Sequence, residues 1–299
     1  MDNKSTINGQ YLVAMSACLY GLNPFFAQLL FQQGLGAEMV SLYRFILPAL
    51  FFIFFLRTPP VNRAEACRSL VLGIISGVAI FGYFHALETI PAATAILIYY
   101  SYPVFSVLIG WLAFHRTPSQ NGLISAALVA IAASLTIRPE TLPPGTLWAM
   151  IGCFLAPLTV ATQIQYLSSP KKQIPTLNRM AWITIGHILV LLPIAIWTAP
   201  VNILPVSFSG VIAVLGIALL AAAIPQILFM KGAPRSCADK NALTGSLELV
   251  VALLTGAILL GQQLDRLELT AMTLIVLALF IKQVKKEPKI EALPGTRQT

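Results

Sequence analysis

Apolar residues run in blocks of about twenty along this chain, broken by Pro, Gly or charged positions: 10–32, 37–56, 68–88, 91–114, 119–137, 144–167, 176–198, 207–230, 237–260 and 266–284. A helix that rises 1.5 Å per residue needs about 20 residues to cross a hydrocarbon core of about 30 Å. Each block therefore predicts a membrane-spanning helix. The polar stretches between blocks are short and leave no room for a soluble domain, and the tail 285–299 reads as a disordered extension.

The fourth block is the most unusual. From Ile90 to Arg116 it is long enough to span, yet Tyr99, Tyr100, Ser101 and Tyr102 set four hydroxyls side by side, and Pro103 removes a backbone donor. Lipid offers no hydrogen bonds, so such groups need partners on neighbouring helices or a water-filled cavity to line. Tyr99 and Tyr102, three apart, share a helix face; Tyr100 and Ser101 point elsewhere.

The pattern also repeats. A shift of 146 positions pairs Ala92, Val104 and Gly110 with Ala238, Val250 and Gly256. A shift of 135 pairs Ala14, Met15, Cys18 and Arg44 with Ala149, Met150, Cys153 and Arg179. Two weak offsets in the same order predict two units, 10–137 and 144–284, of five helices each. An odd helix number per unit forces the second unit to insert upside down. The loop charges follow that inversion: the loop after the first helix lacks Lys and Arg, and its counterpart after the sixth carries Lys171 and Lys172. The expectation is an all-α membrane protein with ten transmembrane helices arranged as two inverted five-helix repeats, a plan that places substrate near the midplane between repeats.

Composition agrees with membrane insertion. The 299 residues are 57% apolar and only 10% charged, where a soluble domain has about 25% charged. The net charge of +8 sits in short loops and the tail rather than on a basic helix or an aromatic-basic platform, so nucleic acid is not an expected partner. It serves orientation instead. Arg57, Arg63, Arg68, Arg116, Lys171, Lys172, Lys231, Arg235, Lys240, Lys282, Lys285 and Lys286 fall on one side of a ten-helix bundle, and the other side has only Arg138 and Arg266 in its loops. Both termini are therefore expected in the cytoplasm. MDNKSTINGQ ahead of the first block has no signal-peptide pattern, so no cleavage is expected. The four cysteines lack metal or disulfide spacing and read as packed thiols, and no cofactor is expected.

Two five-helix units, each with a small-residue approach to its fourth helix, Pro103 in the first copy, Gly110, and a polar turn into a fifth helix, resemble the EamA type of the drug/metabolite transporter superfamily. The resemblance covers about residues 10–284. EamA repeats commonly end the fourth helix in a Gly-Glu pair; here those slots hold His115 and Arg116 in one half, Gly261 and Gln262 in the other, so no role of that Glu carries over. The resemblance implies a bacterial inner-membrane carrier, often an exporter of amino acids or related metabolites. Uptake of a vitamin-like or nucleotide-like solute, or export of an amino-acid-built metallophore, is the alternative.

Several side chains are candidates for handling a small-molecule substrate. Glu248, near the middle of a predicted helix, is the candidate proton-coupling group, because a carboxylate at helix centre costs about 2.5 to 3.5 kcal/mol and so faces the interior with a purpose or a partner. Tyr83, His85, Tyr99, Ser101 and Tyr102 suit a zwitterionic organic substrate, though Tyr83 and His85 also fit an interfacial belt. Asn23, Gln163 and Gln226 either bind ligand or join helices. Arg44 and Arg179 read as structural or gating cations, with binding of a substrate carboxylate by Arg44 as the sharper alternative. His187 reads as structural. Asn23-Pro24, Pro157 and Pro225 are expected to break or kink their helices. No H-E-x-x-H, G-x-S-x-G or Walker A pattern occurs, so neither an intramembrane enzyme nor an ATP-driven pump is expected.

Overall fold

A computed structural model describes residues 3–56, 62–90, 95, 98–115, 117–135, 146–169, 174–198, 202–261 and 265–281. The loop cations Arg57, Arg116, Arg138, Lys171, Lys172, Lys282, Lys285 and Lys286, together with Gln262 and the tail 285–299, lie outside the described residues. Among the described residues all regular structure is helical: α1 Asn3–Tyr20, α2 Asn23–Gln32, α3 Ala37–Phe52, α4 Arg63–Thr89, α5 Tyr102–Leu112, α6 Gln120–Ser134, α7 Leu147–Leu167, α8 Thr176–Thr198, α9 Phe208–Leu215, a π-helical stretch Gly216–Ala223, α10 Ile224–Gly232, α11 Ala238–Gly245, α12 Leu247–Leu259 and α13 Arg266–Phe280. Seven of the resulting rods are long and apolar enough to cross a membrane, and three shorter apolar helices, Tyr102–Leu112, Gln120–Ala132 and Leu269–Phe280, fall in the fourth, fifth and tenth predicted blocks.

The departures from the predicted blocks have identifiable causes. The first block is broken between Tyr20 and Asn23, and Pro24 sits at the start of α2, where its missing N–H costs nothing. Pro103 does the same for α5: it opens a helix after Ser101 instead of interrupting one. Pro157, expected to break or kink its helix, lies inside the unbroken run Leu147–Leu167. The eighth block reaches Pro225 through the π stretch, whose extra residue per turn shifts the helical register ahead of the proline. The ninth is split at Gly245–Ser246, a break that its sequence did not suggest.

The 146-residue offset is visible in the backbone. His115, with φ of 52°, and Gly261, with φ of 68°, end the fourth and ninth blocks in the left-handed region, and 261 − 115 = 146. Packing also interleaves the halves. α4 lies between α7 and α8, α3 packs on α8 and on the π stretch, α1 on α10, and α6 on α13. Exchanging the two halves carries the α1–α10 pair onto the α7–α4 pair and leaves α3–α8 and α6–α13 each matched with itself.

Close approach of α4 and α8 depends on glycine. A Cβ at Gly186 would stand 2.5 Å from the Leu70 carbonyl oxygen and 2.7 Å from the Gly73 Cα. Small residues let helices meet backbone to backbone where apolar lipid supplies no other drive to associate. Large apolar side chains such as Trp148, Trp197, Phe208 and Phe280 face outward, as a lipid-facing surface requires.

Candidate functional site

Two helix starts meet in the middle of the molecule. The break at Gly245–Ser246 puts Glu248 in the first turn of α12, where free N–H groups and the helix dipole favour negative charge. Tyr102, in the first turn of α5, brings its hydroxyl up against that break. A Cβ at Gly245 would lie 2.5 Å from the Tyr102 hydroxyl, so glycine is needed for this approach. The end of α1 closes the group: a Cβ at Gly21 would meet Val251 at 2.6 Å and the Glu248 carbonyl oxygen at 2.7 Å.

These ends border a cavity that offers about 110 Å³ to the centres of water-sized molecules, room for several waters. Arg44 and Glu248 both face it, at 8% and 7% exposure. No ion pair joins them among the described residues. The Arg44 guanidinium carbon lies 5.9 Å from the Tyr20 ring centre, 5.5 Å from Phe45 and 5.7 Å from Phe84, within cation–π range. Its Nε has no hydrogen-bond partner among the described residues. Arg44 and Glu248 thus face one cavity without a direct ion pair.

An aromatic wall completes the charged end. Tyr83 and Tyr99 have ring centres 5.0 Å apart, and Tyr99 and Tyr102 5.8 Å. All three line the cavity. Tyr100 is buried in the apolar core; residues 100 and 101 form a turn, so Tyr99 and Tyr102 stand on either side of a break and not on one helix face. His187 lines the cavity too. Its Nε2 is 2.7 Å from the Ser76 hydroxyl, its ring lies 4.2 Å from Phe45, and its Nδ1 has no partner among the described residues.

Gln163 and Gln226 line the same cavity, but three other candidates do not. His85 is exposed beside Glu88 at 3.9 Å, because two residues along a helix is about 200° of rotation and Tyr83 already takes the inward face. The Ser101 hydroxyl donates to the Ile98 carbonyl at 2.6 Å. Asn23 is buried behind the α1–α2 break and is not among the lining residues. The two matched arginines also differ. Arg179 is fully buried away from the cavity and donates to the Tyr166 carbonyl at 2.7 Å and the Ser169 carbonyl at 2.9 Å, whereas Arg44 faces the cavity. Sequence reasoning missed Tyr20 and Thr159 and set His187 aside. A Tyr immediately ahead of a Gly-x-Asn-Pro break was the available signal for Tyr20. Among the described residues no group of three or more His, Cys, Asp or Glu side chains is placed to hold a metal.

A multi-pass helical membrane protein, built from two similar halves around a charged and aromatic cavity, has the construction of a small-molecule carrier. Residues 7–138 and 145–282 each match the EamA-like transporter family, and the chain belongs to that family. No curated protein matches it in sequence. The fold is similar to that of a protein crystal structure with 17% sequence identity, at a TM-score of 0.71 over 94% of this chain and 96% of that one.

Proposed function

We propose that the protein is a secondary carrier for a small zwitterion with an apolar or aromatic part, and that it exports amino acids or their derivatives across a bacterial inner membrane. The observation that carries the reading is the pair Arg44 and Glu248, buried on one cavity and not joined to each other. Each is costly to hold in a membrane, and a buried charge without a salt-bridge partner costs several kcal/mol. A ligand with a carboxylate for Arg44 and an ammonium for Glu248 satisfies both at once. The tyrosine rings then take its apolar part, and the scarcity of cations argues against a dianionic phosphate ester. Two inverted repeats moving against each other would expose this cavity to each side in turn. Both termini then lie in the cytoplasm, and Glu248 exchanges the coupling proton.

The test separates the two charges of the ligand. In purified protein, phenylalanine is expected to raise the melting temperature at concentrations at which phenylpropionate and phenethylamine, each lacking one charge, do not. Arg44→Gln should remove the advantage of phenylalanine over phenethylamine while keeping that over phenylpropionate. Equal stabilisation by all three would exclude a zwitterion site. Direction is read in cells: loss of the gene should raise the substrate inside and lower it in the medium, and the opposite pattern means uptake.

A further inference from the structure

We infer that the cavity contains a second, uncharged subsite built around Gln226 and Gln163, so that the preferred substrate is an amino acid extended by an arm carrying hydrogen-bond donors rather than a free amino acid. This rests on the zwitterion reading of the Arg44–Glu248 end. The first support is length. Along α7 the lining runs from Ala156 to Leu167, 11 steps, or about 16 Å at 1.5 Å each. An extended peptide unit covers only about 3.5 Å, so an amino-acid head alone fills a fraction of it.

The second support is the chemistry of the rest of the lining. Besides the charged pair, the tyrosines and His187, its polar residues are Ser16, Thr159, Gln163, Gln226 and Asn241, and none of them is charged. The Ser16 hydroxyl donates to the Pro225 carbonyl at 2.7 Å and that of Thr159 to the Ala156 carbonyl at 2.9 Å, which leaves both oxygens to the cavity as acceptors. Gln226 is only 3% exposed, and its Oε1 has no partner among the described residues. A buried amide oxygen left so is costly unless something donates to it. The π stretch ahead of Pro225 sets the register that turns Gln226 inward.

The spacing follows from α1. Tyr20 stands by Arg44, and Ser16, one turn away at a pitch of about 5.4 Å, hydrogen-bonds the carbonyl of Pro225, the neighbour of Gln226. The donor on the arm therefore belongs roughly 6 Å from the charged head. Nε-acetyllysine has such an amide N–H beyond an aliphatic chain. 2-Aminooctanoic acid has the same head and a comparable chain without the amide.

Binding of these two probes to the full-length protein in lipid nanodiscs tests the subsite. Wild type should bind Nε-acetyllysine about tenfold more tightly, the value of one satisfied buried hydrogen bond. Gln226→Leu and Gln163→Leu should each reduce that ratio toward one, and continued binding of 2-aminooctanoic acid reports correct folding. If Gln226→Leu does not fold, Gln163→Leu carries the test alone. Equal binding of both probes by wild type, or an unchanged ratio in the variants, overturns the subsite and leaves the zwitterion head standing. Binding of neither probe overturns the head and the subsite with it.

Discussion

Gly186→Ala tests whether the crossing of α4 and α8 holds the cavity together. The new methyl would stand 2.5 Å from the Leu70 carbonyl oxygen and 2.7 Å from backbone atoms of Gly73. Ordinary contact begins near 3.4 Å, so the helices must separate by about 0.9 Å (3.4 − 2.5). The three nearest obstructing atoms are all backbone, and no side-chain rotation moves them. Alanine returns about 1 kcal/mol in helix propensity. Overpacking costs about 1–3 kcal/mol, and stretching the neighbouring 2.7 Å Ser76–His187 bond loses about 1 more. The balance is a destabilisation of roughly 1–3 kcal/mol, which lowers the melting temperature by on the order of 2–10 °C. Gly152→Ala is the internal control. Its nearest obstacle is 3.9 Å away, so propensity alone acts, and its melting point should hold or rise slightly. Both are measured on purified protein by tryptophan fluorescence during heating. If Gly186→Ala melts no lower than Gly152→Ala, the helices do not cross at this spacing, and the placement of His187 falls with it.

Two further outcomes are expected. Glu248→Gln keeps size and hydrogen bonding but holds the neutral form, so reconstituted protein should lose substrate accumulation driven by a pH gradient, while exchange of labelled for unlabelled substrate survives at higher substrate concentration, because the Gln carbonyl still accepts from the ammonium without its charge; gradient-driven uptake that persists removes Glu248 as the coupling group. Reporter fusions after residues 62, 170 and 284 should read cytoplasmic and one after residue 202 periplasmic, and a periplasmic signal at 170 would contradict the inverted arrangement.

The sequence by itself determined the class of the molecule. Blocks of about twenty apolar residues dictate membrane helices, because no other open structure satisfies its backbone in lipid, and the 146-residue offset of the repeat reappears as paired left-handed residues at His115 and Gly261. Helix periodicity within the unbroken α4 excludes Tyr83 and His85 from sharing a face.

Only the tertiary structure decided which polar groups meet. Arg44 and Arg179 are equivalent in the repeat, yet one faces a cavity among aromatic rings and the other caps backbone carbonyls of its own half. Local sequence does not distinguish them, because the difference lies in which helices from the other half pack alongside. The break at Gly245–Ser246 has no proline to announce it; it depends on Tyr102 arriving from the other half of the chain to occupy the space over Gly245. Periodicity is written within a helix, and partnership across 100 to 200 residues is settled only when the glycine-lined crossings bring the two halves into contact.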